Sequence, residues 1–127
     1  MSYIEKYNEW VAFSDLNAGL KKELLEIAGN DKEIEERFHK SLDFGTAGLR
    51  GIIGAGTNRM NIYTVGQATQ GLAEYIKKNG DSNKGVVIAF DSRIMSPEFA
   101  LEAAKVLCAN KIKVYIFLFI STFTDSG

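Results

Sequence analysis

The sequence predicts an α/β domain with a mixed sheet, entered through a helical N-terminal extension. Three observations carry this. Gly85-Val-Val-Ile-Ala-Phe90 and Lys113-Val-Tyr-Ile-Phe117 are continuous apolar runs, the first bounded by turn residues, as in strands buried on both faces. Between them, Ser96-Pro97-Glu98 opens a helical pattern, with serine as N-cap and proline at the first helical position. Strand, helix and strand with short connections form a right-handed parallel crossover.

The remaining elements follow in chain order. Tyr3, Tyr7, Trp10 and Val11 fall at helical spacing, and Leu16, Leu20, Leu24, Leu25 and Ile27 do so again. Asp15 is expected to cap the second helix and Gly29-Asn30 to stop it. Asp31 is expected to cap a third, with Ile34, Phe38 and Leu42 inward and Glu33, Glu35, Glu36 and Arg37 facing water. Such short, charged helices are expected to pack as an appendage on a larger body, with His39 at the surface. From Asp43 to Met60 glycine recurs and Ile52-Ile53 is β-branched, which predicts a hairpin or strand–loop–strand. Residues 61–79 return to helix, capped by Asn61, striped by Val65, Ala68, Thr69, Leu72 and Ile76, and ended by Asn79-Gly80. The helix after Ser96 is lined by Phe99, Ala100, Ala103, Ala104, Val106 and Leu107, and Cys108 reads as a small buried hydrophobe. The expected organisation is a helical extension over 1–42 and an α/β domain over 43–127.

Composition narrows the function classes. With 127 residues there is room for one core, and 15 basic against 16 acidic residues create no global field for nucleic acid or anionic membrane. One cysteine allows no internal disulfide and fits a reducing compartment. No signal-peptide pattern opens the chain, and no run approaches the roughly 20 apolar residues of a membrane helix. The expectation is a cytoplasmic protein with neither nucleic-acid nor membrane partners.

The densest functional signal is Phe44-Gly-Thr-Ala-Gly-Leu-Arg-Gly51, continued by Ile52-Ile-Gly-Ala-Gly-Thr-Asn-Arg-Met-Asn61. Glycine lets backbone approach a ligand, and an arginine fork matches phosphate or carboxylate. Arg50 is therefore the leading candidate to meet an anion, with Thr46 and Gly48 shaping its loop; bracing of a tight hairpin is its competing role. Arg59 reads as a tie between this loop and the next helix. Asp91, Arg93 and Ser96 fall at the carboxyl end of a strand, where α/β sheets bind ligands. A local Asp91–Arg93 ion pair and a capping role for Ser96 compete with ligand contact. The glycine segment lacks the Lys-Ser/Thr ending of a P-loop and the order of a dinucleotide site. No metal-ligand pattern surrounds His39.

These motifs together with Tyr7-to-Trp10, Tyr63-Thr-Val65, Ala68-Thr-Gln-Gly-Leu-Ala73, Asp91-Ser-Arg93 and Met95-Ser-Pro-Glu-Phe-Ala100 resemble the opening domain of an α-D-phosphohexomutase, over roughly residues 3–117. More closely, the chain is similar to the phosphoglucomutase/phosphomannomutase type. The resemblance implies transfer of a phosphoryl group between the 1- and 6-positions of a hexose phosphate through an enzyme phosphoserine, with magnesium (Mg2+) in the parent enzyme. By position, Arg50 matches an arginine near the transferred phosphoryl group, and Asp91, Arg93 and Ser96 a supporting turn by the cleft. The family's Thr/Ala-Ser-His-Asn-Pro serine loop, Asp-Gly-Asp-x-Asp-Arg metal loop, Gly-Glu-x-Ser-Gly-His sugar loop and C-terminal phosphate-binding arginine motif do not occur in these 127 residues. Leu118 to Gly127 replaces the family's Arg-Pro-Thr-Pro continuation. The expectation is an N-terminal fragment, read as truncated through a shifted reading frame, that binds no metal, is inactive alone and self-associates through uncovered apolar surface. The rival expectation is a non-catalytic module binding phosphate or a sugar phosphate. Glucose and mannose phosphates stay undistinguished, because sugar choice lies in the sugar loop.

Overall fold

The computed structural model describes residues 1–42, 44–45, 48–49, 51–91 and 97–119. Two compact units divide the chain, Met1–Thr64 and Val65–Gly127.

The first unit holds α1 (Tyr3–Ala12), α2 (Ala18–Glu26), α3 (Asp31–Phe38) and a short antiparallel pair, β1 (Phe44–Gly45) with β2 (Gly48–Leu49). Ser2 starts α1 through a capping box: its hydroxyl accepts from Glu5 N–H at 3.2 Å, and the Glu5 carboxylate accepts from Ser2 N–H. The cap of α2 is Asn17, not Asp15; its side chain accepts from Gly19 and Leu20 N–H. Leu16 is buried in the core and its N–H closes a turn onto the Phe13 carbonyl, which leaves Asn17 as the residue before the first helical turn. Likewise Asn30, not Asp31, caps α3. The Asp31 carboxylate instead accepts from the Tyr3 hydroxyl at 2.9 Å, which ties α3 to α1.

These helices enclose a core together with Ala55 and Tyr63 from the chain that follows them. Tyr7, Leu16, Leu24, Ile34, Phe38 and Ala55 are buried, with Trp10, Leu20 and Tyr63 packed against them. Phe38 meets the rings of Tyr7 and Trp10 edge-on at 5.8 and 5.6 Å, the quadrupole-favoured geometry. The one polar atom Tyr7 brings inside is satisfied, its hydroxyl donating to the Leu24 carbonyl at 2.7 Å. Arg37 does not face water as expected: its side chain is only 15% exposed.

The unit boundary falls inside α4 (Ile62–Lys78). Beyond it come β3 (Val86–Asp91), α5 (Pro97–Ala109) and β4 (Val114–Phe119). The strands pair in parallel, from Val86 opposite Val114 to Asp91 opposite Phe119, so the crossover through α5 and the α/β class are as the sequence predicts. Gly80, at φ +72°, ends α4 with its N–H on the Lys77 carbonyl. Ala73, Leu107 and Ile112 form the buried centre, with Ile76, Val86, Ile88 and Val114 against it.

Burial on both strand faces does not hold among the described residues. The two-residue period sends Val86, Ile88 and Val114 to the helices and Val87, Tyr115 and Phe117 the other way. Val87 is 60% and Phe117 58% exposed. Cys108 is also exposed, not buried. It follows Leu107, which takes the inward position on α5, and one residue turns a helix by about 100°.

Candidate functional site

The continuation of the glycine segment, residues 51–61, is a self-closed loop. Met60 N–H donates to the Ile52 carbonyl at 2.7 Å, Gly54 N–H to the Met60 carbonyl, and Arg59 N–H to the Gly56 carbonyl. Asn61 is its hub. The amide is buried, its Nδ2 donates to the carbonyls of Gly54 and Gly56 at 2.9 and 3.1 Å, and its Oδ1 accepts from Tyr63 and Thr64 N–H at 3.0 Å. One side chain therefore caps α4, as the sequence predicts, and also holds the loop closed.

The helices grip this loop from the other side. Glu23 Oε1 accepts from Arg37 Nη1 at 2.5 Å and from Ala55 N–H at 3.0 Å. Arg37 Nη1 also donates to the Ala55 carbonyl at 3.1 Å, and its Nε to Glu33. Burial pushes the Glu23 carboxyl up, but hydrogen bonds from Arg37 and Ala55 and the charges of Arg37 and Arg59 outweigh it and hold it below its ordinary value. Burial likewise works against the Arg37 charge, and its bonds to Glu23 and Glu33 more than restore it.

Two glycines make the close approach possible. A Cβ on Gly54 would stand 2.6 Å from Glu23 Oε1. At Gly56 it would stand 2.7 Å from the Arg37 carbonyl oxygen, at φ +130°, a conformation L side chains rarely adopt. Arg59 is the tie the sequence suggests, and at both ends: its carbonyl accepts from the Thr64 hydroxyl at 2.7 Å, and its Nη1 donates to the carbonyls of Asn58 and Glu36.

Of the expected site residues, Gly48 lies in β2, opposite Gly45. Asp91 ends β3, with Phe119 as its register partner, at the carboxyl end where a ligand rim was expected. Thr46, Arg50, Arg93 and Ser96 lie outside the described residues. Sequence reasoning missed the Glu23–Arg37–Ala55 joint. The signal was present as Gly54-Ala-Gly56, whose two missing side chains mark a close neighbour. No pattern in the chain says which helix supplies it.

A short antiparallel β1–β2 pair with a glycine-rich continuation, and a parallel strand–helix–strand unit, define the class as an α/β domain. Residues 41–124 match the model of phosphoglucomutase/phosphomannomutase, alpha/beta/alpha domain I. The chain belongs to that family, and the match runs past Phe117. It is 40% identical over 97 residues to a human phosphopentomutase, which covers 70% of this chain and 16% of the relative. It is 36% identical over 109 residues to a phosphoglucomutase of Staphylococcus epidermidis, covering 86% of this chain and 19% of the relative. A phosphoglucomutase of Staphylococcus aureus is 41% identical over 87 residues, 68% of this chain and 16% of the relative. The chain thus spans less than a fifth of the length of these relatives. No solved structure matches.

Proposed function

We propose that this chain serves as domain I of a phosphoglucomutase-type isomerase, which moves a phosphoryl group between two positions of one sugar through an enzyme phosphoserine. The carrying observation is the family match over 41–124, together with the Phe44–Gly51 motif inside it. In this reading Arg50, shaped by Thr46 and Gly48, reaches the phosphoryl group being transferred, where a fixed cation is worth most because charge builds up on the oxygens. Asp91, Arg93 and Ser96 support the cleft wall.

The serine, metal and sugar loops do not occur in the 127 residues, so turnover belongs to the parent enzyme. No set of three His, Cys, Asp or Glu among the described residues is placed to hold a metal ion, and no step through magnesium is assigned to this chain. No described helix is long and apolar enough to cross a membrane, and the cytoplasmic reading rests on the single cysteine. Hexose phosphate is the first substrate reading; the 40% identity to a phosphopentomutase favours a pentose phosphate as the second.

The 127-residue chain, mixed with glucose 1-phosphate, magnesium and a bisphosphate activator, is expected to form no glucose 6-phosphate. Substantial product would overturn its assignment as an incomplete catalyst. In the parent enzyme Arg50→Gln is expected to lower kcat by at least about 100-fold, as for loss of a donor aimed at developing charge. A change confined to stability would leave Arg50 as a hairpin brace. Assaying that enzyme with glucose 1-phosphate and ribose 1-phosphate separates the two sugar readings.

A further inference from the structure

A hollow of about 320 Å³ opens at the C-terminal end of α3, lined in part by Glu36, Lys40, Ser41, Ile52, Asn58 and Arg59. That volume is at the low end for a small-molecule site, about 300–1,000 Å³. Arg59 is only 6% exposed. Among the described residues its guanidinium donates two hydrogen bonds, both from Nη1 to carbonyls, at 3.1 Å to Asn58 and 3.5 Å to Glu36. Ion pairs among those residues engage Arg37, Lys77 and Lys84, not Arg59. Glu23 feels its charge, but the hydrogen bonds to Glu23 Oε1 come from Arg37 and Ala55, not from Arg59. A guanidinium has five donors, and a buried charge is costly until those donors are used.

The walls suit an anion. Their ionisable groups are two cations, Lys40 and Arg59, against one carboxylate, Glu36, on an exposed residue. Carbonyls at the end of a helix repel anions, but here they are occupied: Glu36 O by Asn58 Nδ2 and Arg59, Arg37 O by Asn58 N–H, and Lys40 O by the Thr57 hydroxyl.

We propose that this hollow binds a small oxyanion of the phosphate class, held by the free edge of Arg59 with Lys40 and the Ser41 hydroxyl. The site stands apart from the role given to Arg50 and does not depend on it. The test is an amide NMR titration of the 127-residue chain with inorganic phosphate, against chloride at equal ionic strength and against acetate. Saturable shifts are expected at Ser41, Ile52, Asn58 and Arg59 with phosphate alone. Lys40→Gln, at an exposed position, is expected to weaken binding about 3–5-fold, and Arg59→Lys, which keeps the charge but loses the fork, about 10-fold. Absence of saturable shifts, equal saturation by acetate, or indifference to Lys40→Gln would each overturn the proposal. Arg50→Gln separates the sites: unchanged shifts support the hollow, whereas their loss in Arg50→Gln with retention in Lys40→Gln moves the phosphate to the glycine segment and sinks the hollow alone.

Discussion

The two compact units bury apolar surface by different means. In Met1–Thr64, three short helices close around Phe38 and Leu24, both fully buried, and polar joints at Glu23, Arg37 and Asn61 lock a loop onto them. In Val65–Gly127, the buried centre covers Val86, Ile88 and Val114 on one face of β3–β4 but leaves Ile116 47% exposed, while Val87, Tyr115 and Phe117 on the other face stay exposed. A unit that encloses its aromatic residues concentrates its stability in a few side chains. One that leaves a face open spends the same residue types on surface.

The largest expected effect tests this contrast directly. Phe38→Ala should cost about 4 kcal/mol, because a fully buried ring with two edge-on aromatic neighbours leaves a cavity. Phe117→Ala should cost less than about 1 kcal/mol, since most of that ring is already in water. Urea unfolding followed by fluorescence of the single tryptophan, Trp10, reads the first unit, and far-UV circular dichroism reads both. Equal losses would break the comparison.

Next comes Arg37→Ala, at about 2 kcal/mol, because it removes a mostly buried side chain that joins two carboxylates, Glu23 and Glu33, which water reaches in part and screens. Gly56→Ala should cost about 2 kcal/mol through its backbone conformation and the crowded Arg37 carbonyl. Gly71, with open space around it, is the control: Gly71→Ala inside α4 should be neutral or stabilising by up to about 1 kcal/mol. If Gly56→Ala behaves like Gly71→Ala, the close approach of loop to α3 is not real.

Legibility in the sequence divides along the same line. The strand–helix–strand crossover and the Asn61 cap were readable because each depends on local pattern: an apolar run, a proline at a helix start, an asparagine before a stripe. Arg37 was not. Its neighbours Glu33, Glu35 and Glu36 make α3 look like a solvated face, and only the third dimension brings Glu23 and Ala55 to it. The both-face burial expected of β3 and β4 failed for a related reason. An apolar run declares what a strand could bury, not which layers are there to bury it. Of the site, the glycine segment was legible as a motif, while the joint that holds its continuation was not.

Acid should act on the first unit through Glu23. Its folded pKa lies below the ordinary value of 4.5, so its contribution is fully present above that pH and is lost as pH falls through the depressed value. Arg37, shifted upward, stays charged throughout and adds no slope. Glu5, also lowered by its bonds to Ser2, adds a slope of the same sign. The Trp10 midpoint should therefore hold from neutral pH down to about 5 and then decline. Glu23→Gln should be less stable at neutral pH and show a shallower decline; an unchanged decline would place the acid sensitivity elsewhere.

The smallest effect on stability carries the largest consequence for the second unit. Phe117→Lys should shift the unfolding midpoint by less than about 0.5 kcal/mol, because it alters an exposed position. Yet Val87, Tyr115 and Phe117 lie on one face of two adjacent strands, with Val87 paired to Tyr115, and form a contiguous apolar surface. Such surface favours association, and charged side chains on strands are a common means of blocking it. Light scattering of the 127-residue chain should show mass rising with concentration, and Phe117→Lys or Val87→Lys should return it toward 14.0 kDa. If the wild-type chain stays monomeric at high concentration, the open face is too weakly apolar to drive contact. If it associates and both lysine variants associate equally, the contact lies elsewhere on the chain, and the contrast between a closed unit and an open one loses its functional weight.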